Sequence, residues 1–262
     1  MKTRIEFGVA SHVGMVRTEN QDCYGHFPTS ANGQAGDGVQ LFIVADGMGG
    51  QRSGKLASDM AVRTVAKAYF QSADPGMAGR LEEAFRTANE AVFSYGSAHQ
   101  ESAGMGTTCV ALVLREQHAW IAHIGDSRIY HIGKRGIAQL TNDHTKVAEM
   151  RRRGILTDEE AQTHPDRHQL YRALGVRPQA DVDILSDILV GTKEHFLLCT
   201  DGVYEYVADR EMHDLVMNSA PQEACDRIVL LANERGGHDN STVCVVRVQH
   251  TNSFLEHMRW EQ

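Results

Sequence analysis

Two apolar runs in this chain end in the same way. Leu41-Phe-Ile-Val-Ala leads into Asp46-Gly47, and Phe196-Leu-Leu-Cys-Thr leads into Asp201-Gly202. Asp-Gly after a strand is most simply a hairpin turn, but a hairpin needs a second strand at once. Met48-Gly-Gly-Gln-Arg-Ser-Gly54 and a helical pattern follow the first, and Val203-Tyr-Glu-Tyr-Val207 and a polar helical pattern follow the second. A carboxylate carried to the tip of an apolar strand is costly unless positive charge meets it there. A divalent cation would supply that charge. Three further acids lie beside strands or near the N-terminus. Asp126, in Ile124-Gly-Asp-Ser-Arg128, stands between two apparent strands and taken alone reads first as a hairpin turn. Asp239-Asn240 suits a turn or a strand-entry cap as well as a ligand, and Asp22 with Arg17 reads equally well as a surface pair. Carboxylate oxygens with a backbone carbonyl and waters favour Mg²⁺ or Mn²⁺ over zinc. Two such ions, about 3.5–4 Å apart, can orient a bridging water for in-line attack on phosphorus. An arginine would then grip the phosphoryl oxygens bidentately.

Other chemistries fit less well. Gly49-Gly-Gln-Arg-Ser-Gly54-Lys55-Leu56 has the G-x-x-x-x-G-K spacing of a phosphate-cradling loop, but the next residue must bring a hydroxyl to Mg²⁺ and is leucine. Cys23 adjoins Asp22, yet no C-x5-R loop surrounds it, so it reads as an inert thiol. The five cysteines are dispersed without a C-x-x-C pair, as expected of free thiols in a reducing cytosol, and the 14 histidines form no H-E-x-x-H pair.

The elements that must hold these acids are short runs rich in β-branched residues: Ile5–Val9, Leu41–Ala45, Thr108–Leu114, Ala119–Ile124, Arg128–Ile132, Phe196–Cys199 and Thr242–Val248. Two long helices are expected between the second and third runs. The first carries Leu56, Met60, Thr64 and Ala68 at i, i+4 spacing with Ala57, Ala61 and Val65 alongside, and the second carries Leu81, Phe85, Ala88, Val92 and Tyr95. Another helix starts near Pro221 and buries Ala224, Ile228 and Leu231. Thr145–Thr163 is helical in pattern but polar, with Arg151-Arg152-Arg153 in a row, and reads as a solvated face. Strands in runs, then helices, then strands fit an α+β fold with a mostly antiparallel sheet.

The 262 residues are 42% hydrophobic and 23% charged, an ordinary globular composition, and the net charge of -8 argues against a nucleic-acid binder. No run approaches the length of a membrane span, and the first residues lack the apolar core of a signal peptide, so a cytoplasmic protein with no membrane partner is expected. No linker or repeat divides the chain. One domain is expected over residues 1–250, with a short tail at 251–262.

In order along the chain stand Gly14-Met-Val-Arg17-Thr-Glu-Asn20-Gln-Asp22, Val44-Ala-Asp46-Gly-Met-Gly-Gly50, Gly104-Met-Gly-Thr-Thr108, Ile124-Gly-Asp126-Ser-Arg128, Leu140-Thr-Asn-Asp-His-Thr145, Leu198-Cys-Thr-Asp201-Gly202 and Asp239-Asn-Ser-Thr242. Each is weak alone. Together they make the chain resemble the metal-dependent protein phosphatases, the type 2C serine/threonine phosphatase family, in its bacterial form. The resemblance implies a four-layer α-β-β-α sandwich, two antiparallel sheets flanked by helix pairs, with a flap at about 145–172 beside the active site. It implies two Mn²⁺ or Mg²⁺ ions: Asp46 bridges them, the Gly47 carbonyl binds one, and Asp201 and Asp239 hold the other. Asp22 orients metal waters, Arg17 binds substrate phosphate, and Asp126 with Asp201 forms a weaker third site. A metal-bridging water then attacks phosphoserine or phosphothreonine directly. Phosphorylated proteins, substrates of an opposing serine/threonine kinase, are the implied partners of a monomer.

This sequence departs from the family at three places. Met48 stands where animal members carry a histidine proposed as general acid, and Gln51 and Lys55 replace a common His and Glu, where tuning at most is expected. Two alternatives are a phosphatase-like regulatory protein that binds phosphoprotein without hydrolysis and a hydrolase of small phosphate esters.

Overall fold

A computed structural model describes residues 2–28, 38–49 and 53–251. Eleven strands and seven α-helices follow one another among them. One sheet has the order β1-β11-β10-β7-β8, from Lys2–His12, Ser241–Thr251, Glu194–Cys199, Arg128–Gly133 and Gly136–Gln139. The other runs β2-β3-β5-β6-β9, from Asp22–Pro28, Gln40–Met48, Cys109–Arg115, His118–Ile124 and Asp183–Leu189, with β4 (Gly106–Thr107) on β3. The described pairings are antiparallel.

Each central strand is apolar on both faces because both faces are covered. On β3, Phe42 and Val44 meet Phe196, Leu198 and Val246 between the sheets, while Leu41, Ile43 and Ala45 pack beneath α1 (Ser53–Gln71) and α2 (Met77–Ala98). On the far side, Leu197, Val243 and Val245 pack beneath α6 (Asp209–Asn218) and α7 (Pro221–Glu234). Burying each such side chain contributes about 1.5–3 kcal/mol. The result is four layers, α-β-β-α, as the family resemblance implies.

The seven expected strands form, as do the two long helices and the helix begun by Pro221. On α1 the buried stripe lies one position away from Leu56, Met60 and Ala68. Ala57, Ala61 and Val65 face the sheet with Val62 and Tyr69, because alanines let the helix axis come close. The larger residues fill its margins. The Thr145–Thr163 pattern divides into α3 (Lys146–Arg152) and α4 (Asp158–Thr163), broken at Gly154, whose φ is +70°. Strands β2, β8 and β9 are not legible as apolar runs. Gly25 and Pro28 interrupt the first, and acids at 183 and 187 the last.

The hairpin reading of Asp126 fails. β6 and β7 lie in different sheets, so Gly125-Asp126-Ser127 is a crossing between layers. Gly125 takes φ +105° there, and a Cβ would press into Thr108. No helix among the described residues is long and apolar enough to cross a membrane. Gly50, Gln51 and the tail after Thr251 lie outside the described residues.

Gly47 and Gly54 meet where α1 begins against β3. A Cβ on Gly54 would sit 2.7 Å from the Gly47 carbonyl oxygen, and a Cβ on Gly47 would overlap the Gly54 carbonyl. Gly54 is thus a close-packing residue, which accounts for the phosphate-loop-like spacing. Gly47→Ala is expected to cost about 3 kcal/mol or more through overpacking, measured as a lower urea midpoint. An unchanged midpoint would mean that α1 can withdraw from β3 freely.

Candidate metal centre

Strand parity starts the site. Phe42 and Val44 face the space between the sheets, and Asp46 is next in that series at the open end of β3. Asp22 begins β2 directly opposite, paired in register with Asp46. The backbone of Asp46 is pinned by its neighbours. Its N–H donates to Thr108 Oγ1 at 2.9 Å, and its carbonyl accepts from Thr107 Oγ1 at 2.8 Å and Thr108 N–H at 2.9 Å. Thr108 Oγ1 also lies 2.6 Å from Ser127 Oγ, which ties the Asp126 crossing to the same point.

Asp201 comes from the other sheet. β10 ends at Cys199 and the chain turns into α5 (Asp201–Tyr204), which turns this carboxylate into the cleft and away from the helix layer that Leu197 and Cys199 face. Thr200 joins the halves. Its hydroxyl donates to Asp22 Oδ2 at 2.9 Å and accepts from Thr242 N–H at 3.0 Å. Asp239 precedes β11, and its Oδ2 accepts from Arg17 Nη2 at 2.7 Å. Asn240 holds the loop that brings Arg17 there. Its Oδ1 accepts from Gln21 N–H at 2.8 Å, and its Nδ2 donates to Val13 and Glu19 carbonyls.

One pocket of about 360 Å³ therefore gathers Arg17, Asp46, Gly47, Asp126, Asp201 and Asp239. Asp22 stands behind it, 2% exposed. Of the candidate residues, all seven come together at one end of the sandwich. Met48 and Leu170 add an apolar wall.

Electrostatics show what this cluster is suited to hold. Burial raises the carboxyls of Asp46 and Asp201 well above the ordinary range, and their acidic neighbours raise them further. Burial likewise lifts Asp126 to about 7 and Asp22 to about 6. Asp201 Oδ1 and Asp22 Oδ1 are buried without a hydrogen-bond partner. Crowded carboxylates with orphaned oxygens fit oxygen-seeking divalent cations, so the donor set suits Mn²⁺ or Mg²⁺.

Several neighbours carry no signal in the sequence. His168, from the flap, lies with Nδ1 3.2 Å from Glu205 Oε1 and 4.0 Å from Asp201 Oδ2. No spacing pattern links His168 to Asp201. Asn240 stands in a motif that assigns it no role. Lys55, expected to tune at most, donates from Nζ to the Asp22 carbonyl at 2.7 Å. Elsewhere His123, His144 and Asp183 cluster closely enough to suggest another metal site. His144 Nδ1 accepts from Gly125 N–H at 3.1 Å, so its proton is on Nε2, facing Asp183 Oδ2 at 3.2 Å. That nitrogen has no lone pair for an ion. His144 instead clasps the Asp126 crossing, since its own N–H donates to the Gly125 carbonyl at 2.8 Å.

Comparisons with known proteins point to one family. The model of the family described as protein phosphatase 2C matches residues 16–247. A serine/threonine phosphatase, stp, of Listeria welshimeri is 36% identical over 238 residues, covering 89% of this chain and 92% of that protein. The solved S. agalactiae serine/threonine phosphatase superposes with a TM-score of 0.85 at 28% identity, over 93% of this chain and 99% of that one. The catalytic domain of the phosphatase PstP, solved in complex with two manganese ions, superposes with a TM-score of 0.79 at 27% identity, over 95% and 100%.

Proposed function

Because the chain belongs to the protein phosphatase 2C family, we propose that it removes phosphate from phosphoserine and phosphothreonine in proteins, using two Mn²⁺ or Mg²⁺ ions. The observation that carries this reading is the convergence of Asp46, Asp126, Asp201 and Asp239 on one pocket with Arg17 at its edge. Asp46 and the Gly47 carbonyl would hold one ion, Asp46, Asp201 and Asp239 the other, and Asp126 with Asp201 a weaker third. Ions held there neutralise phosphoryl charge and lower the pKa of water, the attacking group.

The protein's own groups do the rest. Thr200 holds one oxygen of Asp22, which leaves the other free to orient water. Arg17 offers a planar fork for two phosphoryl oxygens, and its exposed pair with Asp239 is one it can exchange at small cost. Met48 has no proton to give, so the leaving oxygen takes its proton from another group. The natural substrates would be cytoplasmic phosphoproteins made by a serine/threonine kinase, met by a monomer.

The deciding experiment is phosphate release from a phosphothreonine peptide with and without Mn²⁺, with Asp201→Asn as control. Release that needs Mn²⁺ and disappears in the variant is the expected result. No release from folded, Mn²⁺-binding protein would favour a small-ester hydrolase or a binding-only regulator. Arg17→Ala is expected to raise KM for the peptide about tenfold or more, since a charge-assisted bidentate contact contributes roughly 1.5–3 kcal/mol. Mn²⁺ affinity should hold or improve, because Asp239 loses a competing cation. Weakened Mn²⁺ binding, by calorimetry, would sink Arg17's assigned role.

A further inference from the structure

The flap and its Arg151-Arg152-Arg153 run take no part in the chemistry above. A groove of about 1020 Å³ opens off the catalytic pocket, and Asp126 and His168 line both spaces. One wall is the flap, through α3, α4 and Arg167. The opposite wall is Tyr204–Tyr206, Ala208 and Arg235. An extended chain advances about 3.3 Å per residue, so the groove has room for several residues beside a phosphorylated one.

Its charges divide into committed and uncommitted. Arg128 grips both oxygens of Asp143, at 2.6–3.3 Å, with its guanidinium 3.5 Å over the Tyr204 ring. Arg235 is held by both oxygens of Glu211, at 2.6 and 2.7 Å. Arg152 and Arg153 both turn to Glu149. Among the acids, Asp143 is taken by Arg128, Glu205 faces His168, and Asp126 belongs to the metal centre. Two cations remain among the described residues of the groove. Arg151 meets Asp158 only at 3.6 Å, with side chains 54% and 77% exposed, a pair that exchanges at little cost. Arg167 makes no ion pair with a described residue and is exposed. Asp158 also lines the groove, so two such cations face one such acid, and the uncommitted charge of the groove is positive.

We propose that this groove receives the residues flanking the phosphorylated one and selects, through Arg151 and Arg167, for an acidic residue among them. This rests on the phosphoprotein phosphatase reading and names the substrate class within it.

The test compares kcat/KM for phosphothreonine peptides carrying Glu or Gln at each of the three positions on either side, at low salt. It uses the wild-type protein and Arg151→Gln/Arg167→Gln, with an aryl phosphate as a groove-independent substrate. At one or more positions the wild-type protein should prefer Glu roughly 3- to 10-fold, the yield of two exposed ion pairs. The double variant should lose that preference while hydrolysing the aryl phosphate at the wild-type rate. Equal rates for Glu and Gln peptides at every position, or a preference that survives in the variant, would overturn the groove assignment. Failure to hydrolyse any phosphopeptide while hydrolysing the aryl phosphate would strike the parent reading instead.

Discussion

Asp46→Asn is expected to abolish phosphate release while making the metal-free protein more stable. Asp46 lies where two strands present carboxylates to one another, and it contributes charge that the folded metal-free protein accommodates badly. Neutral asparagine is close to isosteric and relieves repulsion on Asp22 and Asp201. The melting temperature without metal at pH 8 should therefore rise by a few degrees. Losing a residue that merely supports a metal ligand costs 10–100-fold, so losing the carboxylate proposed to hold both ions should lower kcat/KM by about 1000-fold or more. The opposite signs separate function from folding. A variant that lost both activity and stability would show that Asp46 is a structural residue.

Manganese should stabilise the protein strongly, and the effect should depend on pH in a set direction. Asp22 and Asp126 have carboxyls raised to about 6 and about 7, from an ordinary value of 3.8, and Asp46 and Asp201 are raised too. Between about pH 4 and pH 7 the native state keeps protons that the unfolded chain has released. Stability of the metal-free protein therefore falls as pH rises through that window. Metal ions need the same oxygens deprotonated. At a hundred times the dissociation constant, two sites contribute about 5 kcal/mol, or roughly 10–20 °C for a chain of this size. Scanning calorimetry with and without Mn²⁺ should show that full shift near pH 8 and little of it at pH 5. A shift of equal size at both would mean that the ions bind away from these carboxylates.

Much of the site is legible in the order of residues alone. The Asp-Gly pairs after Ala45 and Thr200 point to metal because no second strand follows either one. Asp126 cannot be read that way, for a turn between strands looks the same whether the strands pair or part. Only the separation of β6 and β7 into two sheets distinguishes them. Asp22 and Arg17 carry no local signal. The first owes its place to register with Asp46, and the second to Asn240, whose side chain reaches residues more than 200 positions away. His168 reaches the centre through the path of the flap.

By itself the sequence determined the apolar strands, the long helices and the acids that end two of those strands. Strands apolar on both faces must be covered on both sides, and acids at the ends of such strands require a counter-charge. Tertiary structure alone decided which acids share a pocket, where Arg17 rests, and how the flap arginines are paired. Those facts depend on strand register and on contacts such as Asp22 with Thr200, 178 residues apart. Hydrophobic periodicity reports which face a residue occupies. It carries no record of the residue opposite.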